Sequence, residues 1–259
     1  MCRILMMCVL QGCIAGEFHP GNGQSATEDR IVGGFTGVTA AMSIPVDVSL
    51  GSEPAVSVTC DENLLDLIET EVRKGDLVVR AAHHDHLWVV LDPTVDCRVQ
   101  VTTLGVHRVT STGSGLLSVT GGSLDELYFL TNTGSGGLAV HGKVAASEVD
   151  VTNTGSSTVL IDAIEAKSVH LGASGSGSII ALDGNASALR LTITGSGDID
   201  AEGLVAEHVD ATLTGSGSGV VTATRSLSAT LTGSGDLYVQ GDPKDRDAQS
   251  TGSGDVVFE

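Results

Sequence analysis

Aromatic side chains are scarce in this 259-residue chain: one Trp, two Tyr and four Phe make up 3% of it. Small and β-branched side chains must therefore fill whatever core it has. Basic residues are few as well, 13 Lys and Arg against 32 Asp and Glu, which leaves a formal charge of −19. A phosphate backbone is gripped by clustered Lys and Arg, so nucleic acid is excluded as a partner. Proline is limited to 5 residues and the 34 glycines show no every-third-residue period, so collagen is excluded too. An acidic surface of this kind keeps a protein solvated and attracts divalent cations only weakly.

The opening MCRILMMCVLQGC carries one basic residue, Arg3, and a short apolar run from Ile4 to Leu10. The run falls short of the ~20 apolar residues that a membrane-spanning helix requires, and it has the form of a secretory signal. Its end, Leu10-Gln11-Gly12-Cys13, is similar to a bacterial lipobox, although Gln11 is an unusual occupant. Residues 1–13 are thus expected to be a signal peptide with Cys13 lipidated, simple secretion being the alternative. Ile14 in place of Asp points to outer-membrane sorting. Residues 14–29 read as a polar, flexible tether. Cys60 and Cys97 remain after export, and in an oxidising compartment they either pair or stand as two unrelated buried thiols.

What the sequence has in quantity is a repeated word. TGSG or a close variant recurs with its first glycine at Gly113, Gly134, Gly155, Gly175, Gly195, Gly215, Gly233 and Gly252, at intervals of 18 to 21 residues. Apolar residues occupy fixed offsets from it. Four residues after stand Leu117, Leu138, Val159, Ile179, Ile199, Gly219, Leu237 and Val256, and four before stand Val109, Leu130, Val151, Leu171, Leu191, Ala211, Ala229 and Ala248. Apolar and polar residues alternate on both sides of the turn, as they do in strands with one buried face. Such a strand cannot bury its face alone, but stacked coils carry each column into a shared core. Hairpins in a sandwich would not demand the same column at every copy. A β-solenoid is predicted, with about eight coils over residues 106–259 and the GSG word at one corner of each. Two residues before that glycine, Asn132 and Asn153 fall in adjacent copies, either as a buried amide ladder or as outward-facing residues.

Residues 30–105 lack the word but alternate as strands, and they are expected to continue or cap the N-terminal end of the solenoid. DENLLDLIETEV, residues 61–72, is expected to be the one short helix, capped by Asp61 with Leu64, Leu65, Ile68 and Val72 on one face.

Several fragments invite chemistry. Arg30-Ile31-Val32-Gly33-Gly34 and Ala81-Ala82-His83 look like pieces of a trypsin-like protease, yet no Gly-Asp-Ser-Gly nucleophile loop accompanies them. His83, His84, Asp85 and His86 form a metal-capable cluster, but on a strand they alternate between two faces, which favours a solvated turn. Asp198, Asp236 and Asp255 follow GSG directly. Leu116, Gly137, Thr158, Ser178 and Ser218 hold the same place elsewhere, so corner residues are expected and not a calcium ladder. Polysaccharide lyases and hydrolases on this scaffold need paired carboxylates beside an aromatic-lined cleft, and Trp88, Tyr128 and Tyr238 are a thin supply.

The recurring ITGSGDI and LTGSGDL, the segment RIVGGFTGV with VDVSL, and the phrase VSVTCDENLLDLIETEV before GDLVV carry a resemblance over roughly residues 30–259. The chain resembles the bacterial auto-transporter adhesins with a head GIN domain. That resemblance implies a right-handed parallel β-helix on an exported, often lipidated protein, and it brings no catalytic residue and no cofactor. The expectation is a non-enzymatic cell-envelope lipoprotein whose repetitive Ser/Thr/Asp surface meets a glycan or an envelope protein. It would reach the membrane only through its lipid anchor and would be open to self-association at its coil ends. A carbohydrate-active β-helix enzyme is the alternative.

Overall fold

The computed structural model of the chain describes the backbone of residues 3–9, 12–84 and 87–259 and the side chains of residues 16–83 and 89–259. From the first GSG corner onward it is a stack of coils in parallel register. Leu117 pairs with Leu138, Leu138 with Val159, Val159 with Ile179, and Ile179 with Ile199. The column runs on through Gly219 and Leu237 to Val256. These are the residues four positions after each corner glycine, so the sequence column is a physical column.

Each coil has three sides. Between Gly195 and Gly215 the buried positions are Ile199, Ala201, Leu204, Ala206, Val209, Ala211 and Leu213. Their alternation with exposed residues is interrupted at Gly203 and again at Glu207 and His208, which are the second and third bends. A strand keeps its inward residues two apart, so two consecutive outward residues mark a bend. Differences in coil length are absorbed at these bends. The register slips between Thr120 and Ser123, between Val140 and Lys143, and between Ala201 and Val205. The GSG corner and the strand before it stay in step from Gly175 to Gly252.

Stacking begins before the first GSG word. Gly37–Ala41 lies parallel to Arg108–Ser111, and Val46–Leu50 lies parallel to Leu117–Leu124. Residues 37–50 therefore form an earlier coil whose corner is Met42-Ser43-Ile44. A methyl group on Gly113 or Gly115 would collide with the backbone of that corner. Residues 55–103 then fold over this end. Ala55–Asp61 pairs antiparallel with both Ser25–Arg30 and Arg98–Thr103, and Ile68–Arg73 pairs antiparallel with Asp76–Ala81.

The one short helix expected within residues 61–72 is present as a 3-10 helix, Glu62–Leu67, shorter than expected because Ile68–Arg73 is a strand. The run Ile68-Glu-Thr-Glu-Val72 also alternates with period two, and pairing with Asp76–Ala81 selects that period over the helical one. Asp61 precedes the turn but caps nothing in it. Residues 14–29 include parts of two strands, Gly12–Pro20 and Ser25–Arg30. Gly12–Pro20 pairs in parallel with Leu87–Asp92 and antiparallel with Arg3–Val9, while Ser25–Arg30 lies on the edge of Ala55–Asp61. Its polar composition suits an exposed edge strand, where Thr27 Oγ1 meets Thr59 Oγ1 at 2.8 Å.

Candidate binding surface

The repeated corner is built around close backbone approach. The Gly195 carbonyl accepts from Ser216 N at 2.8 Å and Gly217 N at 3.1 Å, and the Gly215 carbonyl accepts likewise from Ser234 N and Gly235 N. A side chain on Gly215 would strike Gly195 O, and its φ of +122° is itself a conformation that favours glycine. The corner serines, Ser114 through Ser253, all stand exposed, as do the Thr or Ser residues just before the glycines. Thr194, Thr214, Thr232 and Thr251 are direct neighbours in register. The corner serines thus form a surface ridge along the rod.

Two readings of the columns are resolved by geometry. Asn132 and Asn153 point inward and are fully buried. Asn132 Nδ2 donates to Asn153 Oδ1 at 3.0 Å, while Asn153 Nδ2 donates to Ser157 O at 2.7 Å and Ser178 O at 2.9 Å. Asp198 Oδ1 accepts from Ser218 N at 2.8 Å and Asp236 Oδ1 accepts from Asp255 N at 2.9 Å. Ser218 Oγ fills the same role toward Asp236 N. Asp198 and Asp236 thus cap the next coil's amide, which accounts for these two acids in structural terms.

Other sequence candidates are dispersed. His83–His84 is a short strand antiparallel to residues 87–88, and Asp85 and His86 lie outside the described residues. Leu10 and Gln11 of the lipobox are also outside them, and Cys13 falls in the strand Gly12–Pro20. Cys60 and Cys97 face each other across an antiparallel ladder in which Arg98 pairs with Thr59, and the structure joins their sulfurs, with the Cα atoms 4.2 Å apart. Asp61 beside them is buried and accepts from Gly23 N, Thr94 Oγ1, Thr94 N and Val95 N. Burial opposes its charge, but these hydrogen bonds prevail and hold its pKa down at about 2. With the thiols in a bond and the carboxylate engaged, this trio is a structural lock.

One coil carries an aromatic turn. The coil after Gly113 breaks at Leu124, turns through Asp125 and Glu126, and resumes at Phe129, whereas the later breaks at residues 182–183 and 241–244 hold no aromatic side chain. The turn opens a cavity of about 420 Å³ lined by His107, Asp125, Glu126, Tyr128, Phe129 and Ala146–Glu148. Tyr128 stacks on His107 with ring centroids 5.4 Å apart and meets Phe129 edge-on at 5.0 Å. His107 Nε2 lies 2.8 Å from Glu126 Oε2. Phe129 is 43% exposed. A second trough, of about 590 Å³, begins at the same Glu148 and runs across Asp150, His170, Arg190, His208, Asp210 and Ser226. His170 Nδ1 lies 3.3 Å from Asp150 Oδ2, and Arg190 Nη2 lies 3.3 Å from Asp210 Oδ2. Tyr128 was visible in the sequence as one scarce aromatic. Phe129 follows it in the chain, but the meeting of Tyr128 with His107 depends on the 21-residue interval that sets Arg108 beside Phe129 in register.

The molecule is a parallel β-solenoid that carries a surface groove where its regularity fails. Its sequence matches the family described as "Putative auto-transporter adhesin, head GIN domain" over residues 34–243, and the chain belongs to that family. Among solved structures it is similar to a putative lipid binding protein from Parabacteroides distasonis, 24% identical with a TM-score of 0.87, the match covering 93% of this chain and 99% of that one. It is also similar to a putative adhesin from Parabacteroides merdae, 23% identical with a TM-score of 0.85 over 93% and 99% of the two chains. A putative adhesin from Bacteroides fragilis is 18% identical with a TM-score of 0.65 over 93% and 100%. These likenesses establish the fold. No protein of curated function matches the chain, and among the described residues no helix is long and apolar enough to cross a membrane.

Proposed function

We propose that this protein is an exported, non-enzymatic binding module of the bacterial cell envelope, anchored through lipid on Cys13. It presents one face of a rigid rod to a surface ligand. The observation that carries this reading is the groove at Tyr128 and Phe129, set beside a regular exposed Thr and Ser surface in a family described as adhesins. The state of its carboxylates supports binding over catalysis. Glu126 is engaged with His107, Asp125 accepts from Ser123 Oγ, and all three acids of the cavity are exposed. A catalytic acid needs a secluded site that tunes it, as general acid chemistry on sugars requires. The anchor is tested by expressing the full precursor with Cys13→Ser in a bacterial host. Loss of the protein from the membrane fraction is expected, and unchanged retention rules the lipid out. The binding role is tested with the purified domain on a panel of glycans and envelope proteins, where saturable binding to at least one surface component is expected and binding to none overturns it.

A further inference from the structure

We propose that the Tyr128–Phe129 cavity and the trough beyond it form one continuous track for a glycan chain of neutral or amino-bearing sugars, lying along the rod axis. This rests on the binding reading above and specifies its ligand. Four observations converge on it.

Glu148 lines both cavities and Phe129 lies in register beside Asp150, so the two adjoin on one face of the rod. At its head, Phe129 occupies an outward column whose registered neighbours are Arg108 on one side and Asp150 then His170 on the other. An exposed ring among charged positions, braced edge-on by Tyr128, offers an apolar platform. The electron-rich face of such a ring attracts the polarised C–H face of a sugar. Further along, hydrogen-bonding side chains recur once per coil in Asp150, His170, Arg190 and Asp210. That interval is about 4.8 Å. Evenly spaced donors and acceptors suit a polymer with a repeating pattern of hydroxyls.

Charge narrows the class. The track carries Asp125, Glu126, Glu148, Asp150 and Asp210 against two guanidiniums, Arg190 in the trough and Arg108 6.0 Å from the Phe129 ring centroid, on a chain of charge −19. A uronate or sulfated chain would be repelled, whereas a neutral chain is tolerated and an ammonium group is drawn in. Backbone geometry argues against an extended peptide. Peptides add to sheets through unpaired backbone at an edge, and the strands beneath this track are paired in register on both sides.

The test is titration calorimetry of the purified mature domain with three hexasaccharides: β-linked N-acetylglucosamine, its de-N-acetylated form, and polygalacturonate. The expected result is binding of the first two, tighter for the amino form, and none of the third. Phe129→Ala and Arg190→Ala should each weaken binding at least tenfold. Both residues are surface-exposed, and unchanged circular dichroism separates lost binding from lost fold. Leu182→Ser, at another exposed corner, should leave binding unchanged. Equal binding of the polyanion overturns the proposal, as does wild-type affinity in both track variants. So does binding of an oligolysine peptide in place of any sugar. If a component of the wider panel binds wild type and the Phe129→Ala variant equally, the binding role stands and this track falls. If nothing binds at all, both fall.

Discussion

At the scale of single residues, glycine and aspartate carry the most specific roles. Gly215→Ala would place a methyl group against Gly195 O and hold alanine at φ +122°. The expected cost is about 2–5 kcal/mol from overpacking and backbone strain together. Gly122 has open space around it and no positive φ, so Gly122→Ala should change stability by less than about 0.5 kcal/mol. Urea denaturation of the two variants checks the contrast. Asp61 makes a prediction of a different kind. Its folded pKa of about 2 lies below its ordinary 3.8. The unfolded chain therefore takes up the proton first, and the stabilisation is full above pH 4 and lost as pH falls toward 2. Asp61→Asn should lower the melting temperature at pH 7 and flatten its decline between pH 4 and 2. An unchanged slope in that window would show that other carboxylates govern it.

At the scale of the element, the coil is the unit that the sequence spells out, and its legibility was uneven for physical reasons. The GSG corner was readable because each coil lies on the one before it, and only glycine fits where carbonyls approach so closely. The coil of residues 37–50 carries no such word, since a corner needs glycine only against a corner beneath it. Met42-Ser43-Ile44 is the surface on which Gly113 and Gly115 rest. The 61–72 segment fitted two periods at once, and the partner strand that decides between them lies outside any local window. The groove was the least readable part, because His107, Tyr128 and Glu148 belong to three successive coils. Only the stacking interval brings them together. The unitary coil is testable by deletion. Removing residues 196–215 rejoins Gly195 to Ser216 and preserves the corner, so a folded rod shorter by about 4.8 Å is expected in solution scattering. Removing residues 196–205 leaves half a coil and should abolish the cooperative unfolding transition.

At the scale of the whole molecule, the rod is locked at its N-terminal end and left repetitive elsewhere. The Cys60–Cys97 link closes a separation of 37 residues in the cap. Reduction should therefore lower stability by up to about 4 kcal/mol by freeing that loop in the unfolded chain. Thiol titration of the denatured, non-reduced protein should find neither cysteine free, and two free thiols would remove the lock from the account. At the other end, Asp245–Gly252 is exposed throughout, and Arg246 stacks over the Phe258 ring at 4.2 Å. Charge on Asp245–Gly252 and a guanidinium over the ring of Phe258, in the last strand Val256–Phe258, oppose growth of one rod onto another. Between these ends lies a rigid face with the aromatic turn at Tyr128 and Phe129, which is where we propose that binding occurs. Hydroxyl-radical footprinting of the mature domain with a glycan that it binds tests this most directly. Tyr128, Phe129 and His170 should be protected together while the corner serines keep their reactivity. Protection confined to the GSG ridge or to the rod ends, with Tyr128 and Phe129 as reactive as in the free protein, would contradict it.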